Sequence, residues 1–244
     1  MTDLLNYRLN IYSQNGEDGI ISEILKRLNL DQKELWCVEF GAWDGIHLSN
    51  TFALVQRNNW NAVYIEGDKN KYNDLLKTSQ KYKNITTVNK FVESDKNHKN
   101  SLDNILSRTS LPIDYELLSI DIDSYDLAIF SEYQGKPKIV VIEINSSIPP
   151  GILQWHNGKN FIGNSFSSTL LVAKEKGYTL VCHTGNMIFV RNDIVSKLDL
   201  DEATIKYPER LFRDNWINLK EQNFLSKIKR KIKKFINYLE HKSY

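Results

Sequence analysis

The chain has 244 residues, 41% hydrophobic and 25% charged, with a net charge of +2. That balance excludes a disordered chain, and eleven Gly with five Pro exclude a collagen-like or linker-dominated one. Cys37 and Cys182 lie far apart in apolar runs, which excludes a disulfide scaffold or a cysteine-built zinc site and suits a reducing compartment.

In chain order, about Gly16–Leu28 reads as a helix, and Leu35–Phe40 as a buried strand ending in Gly41. Leu48–Arg57 reads as a helix with Ser49 or Asn50 as its cap. Asn61–Glu66 is a second strand, Lys69–Tyr82 a surface helix and Ile85–Val92 a third strand. A short helix at Leu102–Leu106 follows, then strands Glu116–Ile122 and Lys138–Ile144 around a helix Tyr125–Glu132. Pro149-Pro150-Gly151 is a turn. Ser165–Lys176 is helical and stops at Gly177, and Tyr178–His183 with Met187–Arg191 form a closing hairpin. Strands alternating with helices predict an α/β fold with an open, mostly parallel sheet and one antiparallel strand near an edge.

From Lys220 onward eight Lys/Arg stand against two acids, so a mildly acidic body carries a basic tail. By overall charge no nucleic-acid partner is expected. Along Phe224–Leu239 the apolar residues Phe224, Leu225, Ile228, Ile232, Phe235, Ile236 and Leu239 share one helical face, with Lys227, Lys229, Arg230, Lys231, Lys233 and Lys234 on much of the rest. Such a helix docks on the body, on a second subunit in a homodimer, or on an anionic membrane surface. No stretch reaches the ~18 apolar residues of a membrane span. The start MTDLLNYRLN lacks the basic-then-apolar pattern of a secretory signal, so a cytoplasmic location, with peripheral contact at the inner membrane as a further option, is expected.

The first chemical signal is Glu39-Phe40-Gly41-Ala42-Trp43-Asp44-Gly45, where the first strand meets the following helix. In such sheets ligands bind beyond the carboxyl ends of strands, and an acid closing the second strand, here Glu66, accepts from the two ribose hydroxyls of a nucleoside. The spacing is not the G-x-G-x-x-G of dinucleotide binders. With Glu39 on the strand, it suits a cationic ligand better than a pyrophosphate.

The run Ser13-Gln14-Asn15-Gly16-Glu17-Asp18-Gly19, then Glu39-Phe40-Gly41-Ala42-x-Asp44-Gly45, Ser49-Asn50-Thr51 and Ile65-Glu66-Gly67-Asp68, resembles the FkbM-like S-adenosylmethionine-dependent methyltransferases over about residues 12–191. The resemblance implies a Rossmann-like class I methyltransferase fold with a seven-stranded sheet. No Gly-, Ser- or Pro-rich linker divides the chain, so one domain is expected: a methyltransferase body (35–195) with a helical cap (1–34) and a C-terminal extension (196–244) added. The resemblance implies that Glu39, Gly41 and Gly45 flank the methionine part of S-adenosylmethionine, with Glu66 on the ribose; Ala42, Asp44, Asn50 and Asp121 are further cofactor-binding candidates. The resemblance also implies work on bacterial capsule or surface polysaccharide. Trp43 replaces the middle glycine of the commoner methyltransferase loop.

The second signal is acidic. If the fourth strand continues, period-2 geometry points Asp121 and Asp123 to one side, with Glu143 and Asn145 at the end of the neighbouring strand. Asp121, Glu143 and Asn145 can hold Mg²⁺ or Mn²⁺, as hard oxygen donors do, or the acids bind cofactor and acceptor directly. Asp121, Asp123 and His156 are the candidates for moving a proton, with His183 a weaker one. The expected activity is O-methylation of a sugar, polyol or phosphate-derived group on a small-molecule or glycan-precursor acceptor. The alternatives are a metal-dependent glycosyltransferase, reading Asp121-x-Asp123 as its D-x-D, and a non-catalytic nucleoside-binding protein.

Overall fold

A computed structural model describes residues 3–122, 124–158 and 163–214. Asp123 and the basic segment 224–239 lie outside the described residues. Seven strands, β1 (Trp36–Phe40), β2 (Asn61–Ile65), β3 (Ile85–Val88), β4 (Leu117–Ile120), β5 (Ile139–Glu143), β6 (Tyr178–His183) and β7 (Asn186–Arg191), form one sheet in the order β3-β2-β1-β4-β5-β7-β6. β7 is antiparallel to both its neighbours, and the pairings from β3 through β5 are parallel. The arrangement is Rossmann-like, with the single antiparallel strand that the hairpin signal predicted.

The strands alternate between two buried faces, which is why they read as continuous apolar runs. Val38, Phe40, Leu118, Ile120, Val140 and Ile142 pack under α4 (Leu102–Leu106), α5 (Asp126–Glu132) and α6 (Phe166–Glu175). Cys37, Leu117, Ile139 and Val141 pack on the opposite face under α1 (Glu17–Arg27), α2 (Phe52–Asn58) and α3 (Lys69–Lys81). Ile20, Ile21, Ile24 and Leu25 of α1 belong to that same cluster, so the N-terminal helical cap is part of the core of the sheet domain. After β7 a short helix α7 (Glu202–Lys206) follows, and Leu211 and Phe212 return to the other face.

The Ser13–Gly19 run is a knot that ties this cap down. Asp18 Oδ2 accepts from the N–H groups of Ile11, Tyr12 and Ser13 at 2.7–2.8 Å, and Ser13 Oγ accepts from Asp18 N–H at 3.0 Å. Glu17, fully buried, accepts from Thr184 Oγ1 (2.6 Å) and Asn186 Nδ2 (3.1 Å), which pins the start of α1 to the β6–β7 turn.

Three elements end or begin two or more residues short of what the periodicity predicts, each for a local polar reason. The strand expected through Ile122 stops at Ile120, because Asp126 captures the N–H groups of Ile122 and Ser124, both at 2.8 Å. The strand expected through Val92 stops at Val88, where Asn89 Nδ2 donates to the carbonyls of Glu66 (2.8 Å) and Gly67 (3.2 Å) and turns the chain across β2. The helix expected from Leu48 begins at Phe52, since Leu48 sits at φ +58° and Ser49, Asn50 and Thr51 are all bonded to Glu39.

Candidate active site

The strand order reverses between β1 and β4, and a cleft of about 760 Å³ opens there at the carboxyl ends of β1, β2 and β4. Its walls are Glu39–Trp43 with His47 and Leu48, Ile65–Asp68 with Lys71, the segment Lys90–Ser94, and Asp121, Ile122, Ser124 and Tyr125. Glu39, Gly41, Ala42, Glu66 and Asp121 therefore share one cleft. Asp44, Gly45, Asn50 and His156 do not line it.

The glycine loop takes its shape from packing. Gly41 has φ +80°, and a Cβ there would lie 1.9 Å from the Asp121 carbonyl oxygen, so only glycine lets β1 and the β4 loop approach this closely. Asp44 Oδ1 accepts from Ile46 and His47 N–H (2.9 and 2.7 Å), a side-chain turn that sets the loop's far end. Trp43 adopts φ +49°, a conformation rare for a bulky residue, and Glu66 Oε2 holds it there by accepting Trp43 N–H at 2.9 Å. Lys71 Nζ stands 4.7 Å from the Trp43 ring centroid.

Glu66 is buried, and its Oε1 accepts Asp68 N–H at 2.8 Å. Each oxygen carries two lone pairs, so both retain capacity for a hydroxyl donor. Glu39 differs. Ser49 Oγ (2.5 Å) and Thr51 Oγ1 (2.6 Å) donate to one oxygen and Asn50 N–H (3.0 Å) to the other. Since Thr51 spends its proton on Glu39, Tyr64 O–H donates to Thr51 at 2.8 Å. Burial raises the Glu39 pKa, opposed by the Ser49 and Thr51 hydrogen bonds. Ser49 Oγ also accepts from Thr51 and Phe52 N–H, which ties down the entry to α2, while Asn50 Nδ2 reaches Ser119 Oγ on β4 at 3.1 Å. Asn50 thus braces the loop from behind.

On the β4 side Asp121 faces the cleft, and the buried Asp126, which sequence reasoning missed, organises its loop. Burial raises the Asp126 carboxyl to about 6 against its Ile122 and Ser124 hydrogen bonds, with Glu143 adding repulsion. The signal available in the sequence was an acid in the first turn of a helix. Also missed were Phe91, 69% exposed in the cleft wall, and Tyr125. His156 stands behind Tyr125, its ring edge-on at 4.7 Å, and its N–H donates to Asn164 Oδ1 at 2.9 Å.

His183 is fully buried. Arg213 N–H donates to its Nδ1 (3.1 Å), so Nε2 carries the proton toward Ser146 Oγ (3.2 Å), and burial holds its pKa down at about 4. It is a neutral packing residue between Phe166 and Phe212.

The metal set does not fit. Asn145 Oδ1 already accepts Ser147 N–H (2.9 Å) and O–H (2.5 Å), which occupies both its lone pairs. Among the described residues no three His, Cys, Asp or Glu side chains gather closely enough to hold a metal ion.

No family model matches the chain, and no curated protein does. Among solved structures it is similar to M. capricolum TrmK in complex with S-adenosyl-homocysteine, at 15% identity and TM-score 0.49 over 84% of this chain and 83% of that one. It is similar to a SAM-dependent methyltransferase from Aquifex aeolicus, at 14% identity and TM-score 0.42 over 69% and 85%. It is also similar to precorrin-6y C5,15-methyltransferase from Geobacter metallireducens GS-15, at 13% identity and TM-score 0.40 over 75% and 90%. At these identities and TM-scores the likeness adds nothing to the sheet order already described.

Proposed function

We propose that this chain is an S-adenosylmethionine-dependent O-methyltransferase whose acceptor is a hydroxyl of a sugar, polyol or phosphate-derived group in bacterial capsule or surface-polysaccharide synthesis. The observation that carries the methyltransferase reading is one cleft, at the point where strand order reverses, that brings together the Gly41–Trp43 loop, Glu66 and Asp121. The polysaccharide reading rests on the sequence resemblance.

The residues fit the cofactor's parts. Glu66 holds the ribose diol on its remaining lone pairs, and Phe91 with Ile65 and Val92 gives the apolar wall that a flat base requires. Asp121 gives the cleft the negative character that a sulfonium and an ammonium require, and Glu39 holds the loop beneath it. The bound cofactor supplies a methyl already activated on sulfur. The chain's task is alignment and proton removal. Asp121, on the Tyr125 side of the cleft, accepts the acceptor hydroxyl's proton, Asp126 fixes the loop that presents it, and Trp43, Phe91 and Tyr125 exclude water. No step passes through a metal.

A thermal-shift comparison tests this reading. S-adenosylhomocysteine should raise the unfolding midpoint, and UDP-sugars and NAD should not. Stabilisation by a nucleotide sugar alone would contradict it.

A further inference from the structure

The turn after β5 has a construction that the cleft does not require. From Ile144 to Gly158 the sequence contains no Asp, Glu, Lys or Arg. Within it Ile152 is 46%, Leu153 66% and Trp155 44% exposed, a concentration of large apolar side chains on one short knuckle. The knuckle's main chain is clamped onto the first turn of α6. Gly151 N–H donates to Ser167 Oγ (2.7 Å), Gln154 N–H to Ser168 Oγ (2.8 Å), and His156 N–H to Asn164 Oδ1 (2.9 Å). The Ile152 carbonyl accepts Ser165 Oγ–H (2.7 Å) and the Gln154 carbonyl accepts Ser165 N–H (3.0 Å). The apolar side chains project while these main-chain groups are satisfied from within, which is the arrangement a loop needs before it can enter an apolar medium.

Charge identifies the medium. The described residues end at Asp214, beside the root of this same turn. Phe212 stacks on His183 at 5.5 Å, Arg213 N–H bonds His183 Nδ1, and His183 Nε2 bonds Ser146 Oγ. The sequence beyond it carries six Lys/Arg between Lys227 and Lys234, with no acid among them. We propose that the end of the sheet carrying the cleft docks on an anionic lipid bilayer, with Ile152, Leu153 and Trp155 inserting at the headgroup–acyl boundary and the basic tail binding the headgroups. Apolar insertion and basic attraction are the two signals that together give stable, reversible membrane attachment, and tryptophan favours that interface. Through Tyr125, which meets His156 edge-on and lines the cleft, the knuckle adjoins the site, so an acceptor presented at a membrane would meet the cleft directly.

Sedimentation of the full chain with phosphatidylglycerol–phosphatidylcholine vesicles tests the proposal independently of any methyl transfer. The parent chain should pellet with anionic vesicles and not with pure phosphatidylcholine. The Leu153→Glu, Trp155→Glu double variant, checked for an unchanged thermal midpoint, should bind at least about tenfold more weakly. As a second arm, brominated lipid should quench tryptophan emission in the parent, and Trp155→Phe should remove most of that quenching. Equal pelleting by the double variant, equal pelleting with neutral vesicles, no pelleting by the parent, or quenching unaltered in Trp155→Phe would each overturn it. S-adenosylhomocysteine binding is measured separately and bears only on the proposed activity.

Discussion

On the β1–β2 side of the cleft, Glu39, Asp44, Glu66 and Asp68 each accept from main-chain N–H groups in the turns around them. On the β4 side Asp126 does this for the N–H groups of Ile122 and Ser124, while Asp121 lines the cleft. The comparison teaches that an acid beside a glycine turn is first a turn-former. Whether it also serves a ligand depends on how much of its acceptor capacity the turn consumes. Three donors reach Glu39, two of them hydroxyls, and they make it a buried post; two main-chain donors reach Glu66 and leave it capacity.

The largest effect that can break this picture is at Gly41. Gly41→Ala forces a Cβ against the Asp121 carbonyl at φ +80° and should cost about 3 kcal/mol or more in urea denaturation. A neutral outcome would mean the β1 and β4 loops are not locked together. Glu39→Ala orphans two hydroxyls and one N–H and should cost about 3 kcal/mol. A loss of S-adenosylhomocysteine affinity with no loss of stability would instead make Glu39 a ligand residue. Asp126→Asn places an amide against two N–H donors that need acceptors and should cost about 1–3 kcal/mol.

The same residue and His183 give a pH test with opposite signs. Asp126 titrates near 6 in the fold against an ordinary 3.8, so the folded state holds the extra proton and this contribution falls as pH rises across that window. His183 titrates near 4 against 6.5, so the unfolded chain holds the extra proton and this contribution rises with pH over its window, complete above about 6.5. Urea midpoints followed from about pH 4 to about pH 7 should therefore show a steeper acid limb in Asp126→Asn and a flatter one in His183→Gln. Identical profiles in all three proteins would refute both assignments. The smallest effect belongs to the exposed pair Lys77–Asp74, 2.7 Å apart, where Lys77→Ala should change stability by less than about 0.5 kcal/mol.

Much of the fold is legible in the sequence because apolar alternation reports two-sided burial. Val38 and Phe40 face one helix layer and Cys37 the other, and the Thr184-Gly185-Asn186 signal marks the turn into the antiparallel strand. Element ends are not legible in this way, because they are decided by single polar side chains and the partners they find. Asn89 ends β3 by reaching Glu66, and Asp126 ends β4 from four residues beyond Ile122. The period-2 projection beyond Ile120 likewise assumes a strand that Asp126 stops, and Asn145 turns its oxygen to Ser147. Of the site, the glycine turn and its distant acid are legible because spacing encodes them. Phe91 is not, since an exposed aromatic in a segment read as strand gives no sign that it walls a cleft.

The central claim is that Glu66 holds the ribose of S-adenosylmethionine, and a calorimetric cycle tests it most directly. The parent chain and Glu66→Ala are each titrated with S-adenosylhomocysteine and with its analogue lacking both ribose hydroxyls, under conditions where both proteins are folded. Loss of the hydroxyls should weaken binding to the parent by about tenfold or more, and should cost the Glu66→Ala chain almost nothing. Equal affinity of the parent for both ligands, or no binding of S-adenosylhomocysteine to the parent at all, would contradict it.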